Sequence, residues 1–123
     1  MVLVEDDRPL LDVLTTLLQD VGCIVTPFER FQDAKTYLRS KTAADILVTD
    51  VRLGAFNGLQ LAVMCNVGHP ELMKVVITGF DDPVLRKDAE SVGARYLIKP
   101  LNAYDLVEAL AEYVPGSQSS MTS

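Results

Sequence analysis

The sequence predicts an α/β fold in three layers: a parallel five-stranded sheet with helices on both faces. Short β-rich apolar runs alternate with segments whose apolar residues recur at three- and four-residue steps. Turn and cap residues fall between the two kinds of segment. The first and third β-rich runs are apolar at nearly every position, as strands covered on both faces should be.

The first strand is Met1 to Val4. The first helix follows from Leu10, Leu11, Leu14, Leu17, Leu18 and Val21, with Asp7 as its cap and Pro9 tolerated in its first turn. Gly22 stands where a left-handed residue ends a helix. Cys23 to Phe28 is the second strand, and Phe31, Ala34 and Leu38 set the second helix. Ile46 to Thr49 is the third strand. The segment from Gly58 to about Val67 is apolar almost all round, so its helical periodicity is the least marked. Val75 to Thr78 is the fourth strand. The fourth helix carries Leu85, Ala89 and Val92, starts at Asp81 or Asp82 before Pro83, and ends at Gly93. Tyr96 to Ile98 is the fifth strand. Asn102 caps a fifth helix through Ala103, Leu106, Val107, Leu110, Ala111 and Val114. Residues 1–114 thus form one domain, and residues 115–123, rich in Pro, Gly and Ser, read as a flexible tail or linker.

Composition narrows the function. The chain has 123 residues, 49% of them hydrophobic, enough to bury a core without disulfides. The net charge of −6 and the lack of a basic cluster argue against direct nucleic-acid binding. No apolar run spans a bilayer, and the three acids after Val4 exclude a signal peptide, so a cytoplasmic protein is expected. Cys23 and Cys65 are far apart and read as buried thiols; His69, in Gly68-His69-Pro70, reads as a loop residue.

In an open parallel sheet, ligands bind beyond the carboxyl ends of the strands. The first strand ends in Glu5-Asp6-Asp7, the third in Asp50, the fourth in Thr78-Gly79 and the fifth in Lys99-Pro100. Carboxylates gathered at one rim repel one another and call for a counter-charge. Mg²⁺ commonly supplies it, taking one or two carboxylates plus phosphate oxygen and water. A carboxylate beside such an ion can act as a nucleophile and form an acyl phosphate. A lysine, a hydroxyl and backbone N–H groups stabilise the transferring phosphoryl group.

From Val2 to about Val114 the pattern resembles the receiver domains of two-component response regulators. Val2-Leu3-Val4-Glu5-Asp6-Asp7, Ile46-Leu47-Val48-Thr49-Asp50, Val75-Val76-Ile77-Thr78-Gly79 and Tyr96-Leu97-Ile98-Lys99-Pro100 carry the resemblance. It implies a flavodoxin-like (βα)5 sandwich with the sheet in the order 2-1-3-4-5, an order for which a receiver is one of the standard examples. Asp50 would be the phosphoacceptor, taking a phosphoryl group from a sensor histidine kinase or histidine phosphotransfer protein. Asp6 would bind Mg²⁺ directly, Glu5 mainly through a metal-bound water, and the backbone carbonyl of Arg52 would complete the protein ligands. Thr78 and Lys99 would contact phosphoryl oxygens. Tyr96 would be the switch aromatic, moving inward with Thr78 and reshaping the surface of the fourth helix, fifth strand and fifth helix. The Lys99-Pro100 bond would be cis. The resemblance implies no enzyme for outside substrates, only catalysis of its own phosphorylation and dephosphorylation, with a downstream effector or a fused output domain as the reader.

The chain departs from the family where Gly54 stands for a frequent proline and Asn57 for a frequent aspartate; Gly54 is expected to loosen its loop. Arg95 replaces an acid used in dimer salt bridges by many DNA-binding regulators. Arg52 and Phe80 are expected to flank the phosphoryl site and tune its lifetime. The principal alternative is a pseudo-receiver, a binding module that switches without phosphorylation; the full set Glu5, Asp6, Asp50, Thr78 and Lys99 argues against it. An aspartyl phosphatase would have Asp-x-Asp after the first strand, and a flavodoxin-like carrier would not place acids where a phosphate must sit.

Overall fold

A computed structural model describes residues 1–40, 44–99 and 103–110. Its elements are β1 (Val2–Val4), α1 (Arg8–Asp20), β2 (Thr26–Phe28), α2 (Phe31–Arg39), β3 (Ile46–Asp50), β4 (Arg52–Leu53), β5 (Phe56–Asn57), α3 (Leu59–Gly68), β6 (Met73–Thr78), α4 (Pro83–Ser91), β7 (Arg95–Ile98) and α5 (Ala103–Ala109). Five strands pair in parallel in the order β2-β1-β3-β6-β7, which is the expected 2-1-3-4-5 once the small β4–β5 hairpin is set aside. Each step from β1 onward is a strand, a helix and a parallel strand, so all carboxyl ends share one rim.

The core follows the period of two along the strands. Leu3, Val48, Val75 and Ile77 face Leu11, Leu14 and Leu18 of α1, Leu106 of α5 and Leu110 just beyond it. Val2, Val4, Leu47 and Val76 face the opposite way, against Phe31, Ala34 and Leu38 of α2, Leu59, Ala62 and Cys65 of α3 and Ala89 of α4. β1 and β3 are buried at every position, which explains their unbroken apolar reading. α3 is one-sided after all: Leu59, Leu61, Ala62 and Cys65 are buried, while Val63 and Val67 are exposed.

The expected caps are in place. The Asp7 carboxylate accepts from Leu10 N–H at 3.3 Å, and Asp82, rather than Asp81, accepts from Val84 N–H at 2.9 Å. Gly22 and Gly93 have φ of +98° and +71°. Two strand boundaries differ from expectation. Cys23 to Val25 lie outside β2, because Cys23 N–H closes the end of α1 on the Leu18 carbonyl. Consequently Ile24 is exposed and Cys23 only half-buried. β6 starts two residues early and carries Lys74, whose ammonium donates to the Leu72 carbonyl at 3.0 Å.

The β4–β5 hairpin was not expected. Leu53 pairs with Phe56 across the two-residue turn Gly54-Ala55, with Gly54 at φ +63°. Glycine at the first turn position with positive φ is the type II′ signature, which matches the twist of a hairpin. Gly54 therefore does not loosen this loop; it lets the chain reverse there. Pro100, Asn102, Ala111, Val114 and residues 115–123 lie outside the described residues, and with them the expected cis bond, fifth-helix cap and tail. Among the described residues no helix is long and apolar enough to cross a membrane.

Candidate functional site

The parallel register carries four strand ends to one rim. Val51 N–H donates to the Ile77 carbonyl at 2.9 Å, Lys99 N–H to the Thr78 carbonyl at 2.7 Å, and Glu5 N–H to the Phe28 carbonyl at 3.0 Å. These bonds extend the sheet by one residue at each seam and fix the backbone that bears Asp50, Lys99 and Glu5.

Glu5, Asp6 and Asp50 converge, each offering a carboxylate oxygen within 4.8 Å of the others. Glu5 and Asp50 are buried, and Asp6 is exposed at the mouth. Lys99, reaching across from β7, places its ammonium 2.7 Å from Glu5 Oε1 and 3.0 Å from Asp50 Oδ2. The Asp7 N–H donates to Glu5 Oε2 at 3.3 Å. The sequence-predicted residues Glu5, Asp6, Asp50 and Lys99 thus form one cluster at the rim of the sheet.

Burial pushes the Glu5 carboxyl up from its ordinary 4.5 to about 7; Lys99 and the Asp7 amide pull it down, while the Asp50 carboxylate pushes it up. For Lys99 burial acts downward, but the bonds to Glu5 and Asp50 outweigh it and hold the ammonium above its ordinary range. One cation shared between two buried carboxylates leaves this corner electron-rich. Three hard oxygen donors with one open side form a set that suits a hard divalent cation such as Mg²⁺.

Thr78 is buried at the end of β6. Its hydroxyl donates to the Phe80 carbonyl at 3.1 Å and accepts from Phe80 N–H at 3.2 Å. Tyr96, on β7, is half-buried, and its hydroxyl oxygen accepts from Asp82 N–H at 3.1 Å. The Arg86 guanidinium lies over its ring at 4.4 Å and also bonds Asp81 at 3.2 Å. Phe80 is exposed.

Arg52 opens the hairpin with its side chain exposed. Gly58 N–H donates to the Val51 carbonyl at 2.6 Å. In an antiparallel ladder hydrogen-bonded pairs alternate with non-bonded ones, so the Arg52–Asn57 pair is non-bonded and the Arg52 carbonyl turns out of the hairpin.

Three features of the site were missed at the sequence level. A β-carbon on Gly58 would meet the Asp50 carbonyl oxygen at 1.9 Å and Thr49 Oγ1 at 2.6 Å, so only glycine lets α3 start against the backbone of Asp50. No local pattern announces such a contact. The Gly54 N–H donates to Asp6 Oδ2 at 3.2 Å. Here a signal existed: Leu53-Gly54-Ala55-Phe56 is a Gly-X turn between apolar residues. Arg86 and Asp82 hold Tyr96; in the sequence Arg86 is an ordinary helix residue and Asp82 reads only as a cap. His69 lies at the C-terminus of α3, and Cys65 is packed in the core; burial pushes the Cys65 thiol up.

Comparison with known proteins converges on one group. The family model described as "Response regulator receiver domain" matches residues 1–111. The DNA-binding transcriptional regulator NtrC of Salmonella typhimurium is 34% identical over 109 residues, which is 88% of this chain and 22% of that protein. The chain therefore spans only about a fifth of this relative's length. The response regulator receiver protein CpdR of Brucella abortus is 30% identical over 111 residues, 89% of this chain and 92% of that one. Among solved structures, the non-phosphorylated HemR receiver domain from Leptospira biflexa superposes with a TM-score of 0.82 at 27% identity, covering 93% and 92% of the two chains.

Proposed function

Because this chain belongs to the response regulator receiver domain family of two-component signalling, we propose that Asp50 is its phosphoacceptor, taking a phosphoryl group from a histidine kinase or phosphotransfer protein in a Mg²⁺-dependent step. The observation that carries this reading is the convergence of Glu5, Asp6 and Asp50 within 4.8 Å, with the Lys99 ammonium 3.0 Å from Asp50. Glu5, Asp6, Asp50 and the outward carbonyl of Arg52 are the residues that would hold Mg²⁺, which when bound neutralises charge on the phosphoryl oxygens.

The chain's own groups then divide the work. An Asp50 carboxylate oxygen attacks phosphorus in line with the phosphohistidine nitrogen. The O–P bond forms, and the N–P bond breaks with its electrons returning to the imidazole. The buried setting of Asp50 strengthens each charge interaction around it. Lys99 turns from the Glu5–Asp50 pair toward a phosphoryl oxygen. Thr78 exchanges its bonds with Phe80 for a bond to another such oxygen.

That exchange is the basis of signalling. Releasing Phe80 frees the segment joining β6 to α4, where Asp82 N–H and Arg86 hold Tyr96. Tyr96 then moves inward, and the surface bearing exposed Phe80, Val84 and Ile98 changes shape for an effector or output domain.

The test uses Mg²⁺ and a small acyl phosphate as donor, with intact mass as the readout. Wild type should gain the mass of one phosphoryl group, stable in acid and labile in base, and Asp50→Asn should gain none. Uptake by Asp50→Asn equal to wild type, or no uptake by either, would remove the assignment.

A further inference from the structure

Asp6 differs from its two companions in how it is held. Glu5 and Asp50 are buried and share Lys99, whereas Asp6 is exposed. Among the described residues, the Gly54 N–H is the one hydrogen-bond donor to the Asp6 carboxylate, at 3.2 Å from Oδ2. A carboxylate bonded through one oxygen keeps the other free for a metal, and such outer bonds orient ligating carboxylates.

The amide that makes this bond sits at the tip of a hairpin whose strands are two residues each. A ribbon that short does not hold its own position in water. Leu53 anchors one strand in the core. On the other strand, Phe56 lies flat on Phe31, with ring centroids 4.8 Å apart and planes 6° apart. Phe31 is the first residue of α2 and is buried in the core. A cleft of about 420 Å³, lined by Asp6, Arg30, Phe31, Leu53, Gly54 and Phe56 among others, separates the hairpin from α2. The ring stack bridges that cleft.

We propose that Phe56 is a positioning residue for the metal site: its stack on Phe31 holds the hairpin so that the Gly54 N–H fixes Asp6 in its ligating orientation. The inference rests on reading Glu5, Asp6 and Asp50 as the Mg²⁺ ligands. Phe56 touches neither the ion nor the phosphoryl group and acts only through Gly54 and Asp6.

Calorimetric titration of the unphosphorylated protein with Mg²⁺ tests it. Phe56→Ala should bind Mg²⁺ about tenfold more weakly than wild type, the scale on which outer-shell contacts act. Phe56→Tyr, which keeps the ring, should restore wild-type affinity. In an Asp6→Asn background Phe56→Ala should cost nothing further, because the residue it acts through is already lost. Should Phe56→Ala lose its far-UV helical signal, Phe56→Leu, which keeps apolar cover without a flat ring, takes its place with a loss of several-fold. Equal affinity of the folded Phe56 variant and wild type, with Asp6→Asn weakened, overturns the role of Phe56 and leaves the metal site standing. A wild type that takes up no Mg²⁺ overturns both.

Discussion

A β-carbon placed on Gly58 falls 1.9 Å from the carbonyl oxygen of Asp50. Neither side can yield cheaply. The oxygen belongs to the backbone of a central strand, and Gly58 N–H is itself bonded to the Val51 carbonyl. Gly58→Ala must therefore push α3 away from the sheet or tilt the Asp50 peptide. The expected cost is about 3 kcal/mol, at the upper end for overpacking, measured by urea unfolding. Phosphoryl uptake should fall with it, because the displaced peptide bears Asp50, the proposed phosphoacceptor. Gly68→Ala is the control: nothing lies within 4 Å of its added carbon, and in a helix it should be neutral or stabilise by about 0.5–1 kcal/mol.

Glu5 couples the site to pH. Its carboxyl is raised to about 7 in the fold and titrates at 4.5 when unperturbed, so the folded chain holds this proton more tightly than the unfolded chain. That contribution to stability is complete below about pH 4.5 and is lost as pH rises toward 7, on the order of 3 kcal/mol at most. Lys99, also raised, contributes below its ordinary range and stays constant through this window. Glu5→Gln should flatten the pH dependence of metal-free unfolding between 4.5 and 7. Mg²⁺ must displace the same proton, so its affinity should climb as pH rises through about 7 and level off above. An affinity independent of pH from 6 to 8 would contradict the assignment of Glu5.

Most of the candidate site was legible because it sits at strand ends, where a change of period marks the boundary. Asp50, Thr78 and Lys99 each stand at the end of a β-rich run, and the parallel order carries all three to one rim. The missed features depend on contacts between distant segments. Cys23 to Val25 read as an apolar run, but Cys23 N–H closes the end of α1, so composition overstated β2. Lys74 looks like a strand terminator, yet its stem is buried and its ammonium finds the Leu72 carbonyl. The packing of Gly58 on Asp50 and the stack of Phe56 on Phe31 have no signature in either segment alone.

Lys99 spans Glu5 and Asp50, and a cation there competes with any other cation for the same oxygens. Lys99→Ala should therefore bind Mg²⁺ more tightly, by about tenfold if the ammonium influences the carboxylates as an opposite charge at this range usually does. Phosphoryl uptake should nonetheless slow, since the group proposed to pair with the transferring oxygens is gone. Titration calorimetry and intact mass measure the two effects separately, and weaker Mg²⁺ binding by this variant would refute the competition.

Arg52 and Phe80 are both exposed at the rim, one following β3 and the other bonded through its backbone to Thr78. If their bulk screens the acyl phosphate from water, alanine at either position should shorten its lifetime. Decay of the phosphorylated protein after donor removal measures this, and unchanged decay in both variants would exclude a screening role.

The last prediction concerns what keeps Tyr96 in its resting place. Its hydroxyl accepts Asp82 N–H at 3.1 Å, and Arg86, tied to Asp81, covers its ring at 4.4 Å. Tyr96→Phe removes the acceptor and leaves an amide at the start of α4 without it, costing about 1 kcal/mol. Arg86→Ala removes the cover instead, worth about 0.5–1 kcal/mol at a partly exposed ring. Both changes weaken the link between Tyr96 and α4, but Arg86→Ala keeps the phenol and its bond from Asp82 N–H. Hydrogen exchange of the first α4 amides should quicken in Tyr96→Phe. In Arg86→Ala, the tyrosine ring resonances of the unphosphorylated protein should shift toward their positions in phosphorylated wild type. Unmoved resonances in Arg86→Ala would mean that the Arg86 cover does not set where the ring rests.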